Sequence, residues 1–304
     1  MIGAIVVLFN PDFNVTEKAL ESLEEQVDRV CVVDNSPSDH SEKMRHFRNI
    51  EYISLGKNIG IAAAQNVGIK YFIEQNYDYI VFCDQDSIAP KGVVNKLYCA
   101  YTALQKHGYK VAVTGTRAIN RQTAKLYPPK SKEFAFISGK EIDFSSDITE
   151  CYSVISSISM ISSISFVELG GFDESLFIDG VDHEWCWRAW HQAKLRSFIV
   201  EDALISHQLG EGDRRIAYKE IAIASSFRVY YQFRNYLWLC RRNYVPSFWK
   251  RKHLMKYSVK FFYFPLFVSP RWEYMKNILK AVYDGLFNYK KQGKWLIFQK
   301  RKDL

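Results

Sequence analysis

Two carboxylates, one residue apart, close an apolar run: Tyr79-Ile80-Val81-Phe82-Cys83-Asp84-Gln85-Asp86-Ser87. Residues two apart on an extended chain point to the same side, so Asp84 and Asp86 repel each other unless a cation or a set of donors neutralises them. A hard divalent ion would do so, and Mg²⁺ or Mn²⁺ characteristically binds through one or two carboxylates plus oxygens of a substrate phosphate. The same residues also suit a solvated turn after a strand, because Asp and Ser are turn formers. A second acidic focus lies in Phe177-Ile178-Asp179-Gly180-Val181-Asp182-His183-Glu184-Trp185-Cys186-Trp187-Arg188. A helix starting near Asp179 or Gly180 puts Asp182 in its first turn, where the helix dipole favours a carboxylate and where a general base beside a ligand could equally stand. Glu184 lies about 200° around an ideal helix from Asp182, so it is expected to point outward or to pair with Arg188. His207 follows a strand-like run; a single His is more often structural than a ligand, and the paired carboxylates favour the ligand role.

These groups need a frame to hold them. Residues 5–9, 30–33, 50–55 and 79–83 read as buried strands. They alternate with a helix capped by Thr16 or Asn14 and another running from Ile61 to about Glu74. That alternation predicts βαβ units, a parallel sheet and right-handed crossovers. Open α/β sheets bind ligands at the carboxyl ends of their strands, and this edge collects Asn10, Asp34, residues 56–60 and residues 84–87. Gly56-Lys57-Asn58-Ile59-Gly60 is a strand-to-helix turn whose N–H groups suit an anion, although its glycines equally ease a tight turn. It matches neither a Walker A loop nor the G-x-G-x-x-G fingerprint.

Farther along, residues 90–106 predict a helix, 111–113 a strand, and 117–150 an irregular excursion over the acceptor side. Ser alternates with Ile or Met from Ser153 to Ser165, which predicts a strand with one hydroxylated face. Residues 170–173 predict a turn and 199–205 a further strand. Arg228, Tyr231 and Asn235 fall on one stripe of a helical stretch, where Arg228 and Arg234 suit either phosphates or plain aromatic packing. Residues 261–268 are apolar but short and broken by Pro265, and residues 272–283 are amphipathic with lysines on one side. Short apolar stretches with aromatics and lysines suit a lipid interface as well as ordinary core packing.

A chain of 304 residues, 48% hydrophobic, can bury one large core with or without an appendage, which excludes a disordered chain. Six cysteines without a C-x-x-C pair exclude a zinc knuckle or a disulfide framework and suit buried thiols in a reducing cytosol. The N-terminal apolar run lacks a basic flank and stops at Asn10-Pro11, as a first strand would and a signal peptide would not. No stretch reaches the ~18–20 apolar residues of a spanning helix, so an integral membrane protein is not expected. Residues 241–304 hold sixteen Lys and Arg against three Asp and Glu, a net of +13 that leaves residues 1–240 at −5 of the chain's +8. Such a basic aromatic tail has the ingredients of a single-stranded nucleic-acid binder, but its apolar amphipathic spacing and the acidic body argue against nucleic acid as a partner.

Taken in order, Val6-Val7-Leu8-Phe9-Asn10-Pro11, Val33-Asp34-Asn35-Ser36, Gly56 to Gly60 with Ala62, Ala64, Asn66 and Gly68, Asp84-Gln85-Asp86-Ser87, Gly170-Gly171-Phe172-Asp173, Asp182 to Arg188 and His207 resemble a family 2 glycosyltransferase with the GT-A fold. The resemblance spans nearly the whole chain. Within that family, the stretch from Arg228 to Asn235 and the tail from Ser269 to Leu286 most resemble bacterial rhamnosyltransferases of polysaccharide assembly. It implies a mainly parallel α/β sheet in a catalytic domain over residues 1–210, with a nucleotide-sugar half (1–100) and an acceptor half (101–210). A basic helical region follows over 211–304. It implies inverting transfer, with a divalent metal, from dTDP-β-L-rhamnose to a lipid-linked glycan at the cytoplasmic face of the inner membrane; UDP-galactose, UDP-galactofuranose and UDP-N-acetylglucosamine are the other donors considered. It assigns Phe9, Asn10, Asp34, Lys57, Asn58, Gly60, Asn66, Asp84, Gln85 and Asp86 to the donor, with Asp34 on the base. Gly171, Phe172, Asp173, Arg228 and Tyr231 go to the acceptor side, and Asp86, His207 and Asp84 to the metal. Asp182 matches the acid of the family's E-D pattern, although Val181 stands where the preceding Glu is usual.

Overall fold

The structure, a computed structural model, describes residues 1–120, 126, 136–207, 213–216, 219–222 and 224–289; residues 120, 207, 213–216 and 219–222 are described by backbone alone. In chain order the elements are β1 (Ile2–Leu8), α1 (Phe13–Glu24), β2 (Arg29–Asp34), α2 (Ser41–Met44), β3 (Ile50–Ser54), α3 (Ile61–Glu74), β4 (Tyr79–Asp84), α4 (Val93–Lys106), β5 (Val111–Asn120), β6 (Phe136–Ile137), β7 (Ile148–Cys151), β8 (Ser159–Ser162), α5 (Ser163–Leu169), α6 (Val181–Ala193), β9 (Arg196–His207), β10 (Asp213–Ile216), β11 (Lys219–Ala222), α7 (Ser226–Cys240), α8 (Ser247–Phe267) and α9 (Arg271–Phe287). The main sheet has the order β3-β2-β1-β4-β8-β5-β9-β7-β6. Strands β3, β2, β1 and β4 are mutually parallel, as the βαβ spacing predicts, whereas β8 inserts antiparallel between β4 and β5.

Parallel strands covered on both faces read as continuous apolar runs. Along β1, Ala4, Val6 and Leu8 join one core with Leu20 and Leu23 of α1 and Leu97 of α4. Ile5 faces the other core, with Ala62, Ile69 and Phe72 of α3 and Trp185 of α6. A third cluster, with Val229, Phe233, Phe264, Tyr274 and Ile278, holds α7, α8 and α9 together.

Four expectations change. The cap of α1 is Asp12, whose carboxylate accepts from Asn14 N–H, rather than Thr16 or Asn14. The excursion over 117–150 is not wholly irregular, since it contributes the end of β5 and the edge strands β6 and β7. The Ser-rich alternation gives only four strand residues before turning helical at Ser163, whose N–H donates to Asp78 O just before the neighbouring strand β4 begins. Residues 261–267 belong to one 21-residue helix, α8, with Pro265 inside its last turn and Val268 as its cap. No helix among the described residues is long and apolar enough to cross a membrane.

Candidate active site

The carboxyl edge of the sheet is stitched loop to loop. Phe9 N–H donates to Gln85 Oε1 at 2.8 Å and Gln85 Nε2 donates back to Phe9 O at 3.3 Å, which ties the exits of β1 and β4. Asn10 N–H donates to Ser36 Oγ, which links β1 to the turn after β2. Asn35 donates to Asn58 Oδ1 at 2.9 Å and accepts from Ile59 N–H at 2.8 Å, so the glycine turn is held as well. Gly60 enters α3 with φ +89°, and a Cβ there would stand 2.8 Å from Phe177 O, so only glycine fits. The expected donor residues Phe9, Asn10, Lys57, Asn58, Gly60, Asp84, Gln85 and Asp86 thus share one edge. Phe9, Lys57 and Asp86 are exposed there, and Asp84 is half-buried.

Two expected donor residues point inward. Asp34 is fully buried, and its carboxylate accepts from Ser36 N–H (3.0 Å) and Tyr52 OH (2.6 Å) and lies 2.6 Å from His40 Nδ1. Burial alone would raise its pKa, but the hydrogen bonds from Tyr52, Ser36 and His40 outweigh it and hold the carboxyl below its ordinary range. Asp34 meets a nucleotide base only by sharing these partners. Asn66 is also buried. Its amide donates to Phe172 O and Glu174 and accepts from Phe172 N–H across 106 residues of sequence, so it pins the loop after α5.

Asp182 stands in the first turn of α6, with Gly180 as the preceding cap. Its Oδ1 accepts from His183 N–H at 2.7 Å and its Oδ2 from Ser156 N–H at 3.3 Å, and its side chain is 22% exposed. The residue after Ser156 matters equally: Ser157 Oγ lies 2.8 Å from Ser87 Oγ, and Ser87 follows Asp86. Two adjacent serines therefore link the Asp84/Asp86 turn to the start of α6 at Asp182. Neither serine was singled out in the sequence; the hydroxylated alternation was the only signal.

The residues expected on the acceptor side are held as follows. Gly171 O accepts from Arg188, Phe172 packs among Phe82, Phe166 and Trp185, and Asp173 is buried, capping the turn at Ser175 and pairing with Arg242. These three shape the loop from beneath because a fixed loop needs its polar atoms satisfied. Arg228 makes a bidentate pair with Asp179, and Tyr231 stacks on Phe177 at 4.6 Å, so both brace the segment leading into α6. Glu184 pairs with Arg188 as expected, yet is fully buried rather than outward. His207 ends β9, in register with Asn120, and its side chain lies outside the described residues.

No group of three His, Cys, Asp or Glu side chains is gathered as a metal cage among the described residues. The donor chemistry nevertheless fits a hard ion: two carboxylates at a strand end suit Mg²⁺ or Mn²⁺ completing its shell with phosphate oxygens. Burial, followed by the negative field of Asp84 and Asp86, pushes the Cys83 thiol well above its usual pKa.

The model of the family described as "Glycosyl transferase family 2" matches residues 4–166. The dTDP-rhamnosyl transferase RfbF of Shigella flexneri is 32% identical over 292 residues, covering 94% of this chain and 95% of that protein. The low-salt glycan biosynthesis hexosyltransferase Agl10 of Haloferax volcanii is 24% identical over 245 residues, covering 77% of this chain and 73% of that protein. Among solved structures, TarS 1–349 of S. aureus in complex with UDP-GlcNAc superposes with a TM-score of 0.55 at 18% identity, covering 93% of this chain and 80% of that one. GalNAc-T7 with UDP, GalNAc and Mn²⁺ gives 0.54 at 14% identity, covering 82% and 53%. These structures share the fold, and fold and sheet edge together define a GT-A glycosyltransferase. The chain belongs to glycosyltransferase family 2.

Proposed function

We propose that the protein transfers L-rhamnose from dTDP-β-L-rhamnose to a hydroxyl of a lipid-linked glycan, with inversion, in the synthesis of a cell-surface polysaccharide. The observation that supports this chemistry is the serine bridge from the Asp84/Asp86 turn to Asp182, which links the proposed base to the proposed diphosphate edge. The donor follows from RfbF, matched end to end at 32% identity. In one displacement the acceptor oxygen bonds to the anomeric carbon, the bond from that carbon to the diphosphate oxygen breaks, and the acceptor proton passes to Asp182. A single base without a covalent carboxylate nucleophile fits inversion, and the product is an α-L-rhamnoside. Asp86 and Asp84, with His207 as a further candidate, would hold Mg²⁺ or Mn²⁺. When bound, the ion neutralises leaving-group charge and orients the diphosphate. Residues 1–100 serve the nucleotide sugar and 101–210 the acceptor, with residues 211–304 as the attached helical region.

At about a hundredfold excess over its Kd, dTDP is expected to stabilise the protein by about 2.7 kcal/mol with Mg²⁺ or Mn²⁺ present, seen as a raised Tm. EDTA is expected to remove most of that rise, and an equal rise in EDTA would overturn the metal assignment. Turnover of dTDP-rhamnose, and not of UDP-galactose, UDP-galactofuranose or UDP-N-acetylglucosamine, is the companion result; turnover of a UDP-sugar instead would overturn the donor.

The proposed site of action is the cytoplasmic membrane surface. Met255, Val259, Phe262 and Leu266 form an exposed stripe at helical spacing on α8, and Trp272 at the start of α9 is 78% exposed. Lys252, Lys256 and Arg271 are exposed nearby in sequence. Such an apolar stripe with adjacent cations suits an anionic lipid interface. Flotation with vesicles containing phosphatidylglycerol is expected to carry the protein upward, and Phe262→Ser with Trp272→Ala to leave it at the bottom. Equal flotation of the double variant would remove this face from the account.

A further inference from the structure

A cavity of about 450 Å³ opens on the flank of α6, away from the Asp84/Asp86 turn, within the size range of small-molecule sites. Its walls come from the second half of α6, the paired ends of β7 and β9, and the segment joining α7 to α8. Trp187, Trp190, Tyr152 and Phe248 supply aromatic surface. Asn243 and Arg251, both exposed, stand at its margin.

The walls are preformed. Arg196 is paired with Glu150, Tyr244 OH donates to Glu184 at 2.6 Å, and Tyr152 packs on Phe248 with ring centroids 4.5 Å apart. One polar atom is left over: Trp187 is 2% exposed and its indole N–H meets no acceptor. That N–H has no accessible surface, so it lies behind the wall, and an occupant meets the rings of Trp190, Tyr152 and Phe248 and the open groups at the margin. Trp190, in contrast, is 43% exposed, with the Lys194 ammonium 5.5 Å from its ring centroid.

The cavity also has a fixed relation to the proposed base. Trp187 lies five residues beyond Asp182 on α6, about 7.5 Å along the axis at 1.5 Å per residue and about 140° around it at 100° per residue. Its ring stacks on His183, the residue next to Asp182, at 5.8 Å with 21° between planes. A short oligosaccharide spans such a distance. A pyranose has a C–H face that suits the negative face of an aromatic ring and a rim of hydroxyls that suits Asn and Arg side chains.

We propose that this cavity is a glycan subsite, holding an inner sugar of the acceptor chain while that chain's reacting hydroxyl lies at Asp182. The inference rests on the reading of Asp182 as the base. It makes acceptor length, and not only the terminal sugar, a determinant of specificity.

The test is retention of the full-length protein on an array of defined bacterial glycan fragments, from mono- to tetrasaccharides, in the absence of donor. The expected result is retention of at least one fragment of two or more sugars. Trp190→Ala is expected to weaken that retention at least about tenfold with an unchanged Tm and an unchanged thermal shift with dTDP. Arg251→Ala, at an exposed position, serves as the second variant and is expected to act in the same direction. Retention of no fragment beyond the monosaccharide level, or equal retention by both variants and the parent, would overturn the subsite. Asp182→Asn should keep its place on the array, so loss of the base assignment and loss of the subsite are separately visible.

Discussion

Asp182→Asn is expected to lower kcat by about 10²–10⁴-fold, the usual contribution of a positioned general base. The amide keeps the size of the carboxylate and can still accept a backbone hydrogen bond through its oxygen, but it cannot take the acceptor's proton. Asp182 is partly exposed and accepts from the N–H groups of His183 and Ser156, with His183 Nδ1 at 3.9 Å, so the substitution should leave Tm nearly unchanged. The dTDP thermal shift should persist as well, because the Asp84/Asp86 turn is untouched. Steady-state transfer assays beside thermal melts separate these effects. A folded Asp182→Asn protein with parental kcat would sink the assignment, and equal loss of dTDP binding would show that Asp182 acts on the donor instead.

Glu184→Gln is expected to do the opposite, with its main effect on stability. Glu184 is fully buried and accepts from Arg188 Nε at 2.9 Å and Nη2 at 3.1 Å and from Tyr244 OH at 2.6 Å, with Arg242 Nη1 at 3.2 Å. Asp173 completes the set by pairing with Arg242. Two carboxylates balance two guanidinium groups away from solvent. Burial by itself would lower the Arg242 pKa, and Asp173 and Glu184 more than reverse that, keeping the cation charged. Neutralising one carboxylate leaves a buried charge without its counterpart, which typically costs about 3–5 kcal/mol. The Tm should fall by more than about 5 °C. The cluster joins α6 to the loop at 169–173 and to the segment after α7, so kcat should fall with loss of folded protein rather than at constant fold. An unchanged Tm for Glu184→Gln would show that the cluster tolerates a missing charge through relaxation or water.

Helical and strand periodicity made much of the frame legible. β1, β2, β3 and β4 are continuous apolar or β-favouring runs, and each ends in polar residues at the sheet edge, so Asp84, Asp86, Asn58 and Asn10 could be grouped before any contact was known. The start of α6 near Gly180 was equally plain, since glycine and early acids mark a helix beginning. The stretch from Ser153 to Ser165 was not, because alternation over a few residues fits a strand and the start of a helix alike. There the end of the sheet at Tyr79 decided where β8 stops. Pro265 read as a break because its effect depends on where the helix ends, which local composition does not state.

What the sequence by itself determined is therefore the α/β frame, the edge on which its chemistry gathers and the family to which the chain belongs. What only the tertiary structure decided is which polar groups meet. Asn66 finds Phe172 across 106 residues, Ser87 finds Ser157 across 70, and Tyr244 finds Glu184 across 60. It is this pairing that gives Asp34, Asn66 and Asp173 their buried partners and that links Asp182 to the Asp84/Asp86 turn. The physical reason is that a strand or helix is specified by the spacing of its own residues. A buried polar partner is specified only by which loops close against each other, and that leaves no local periodicity to read.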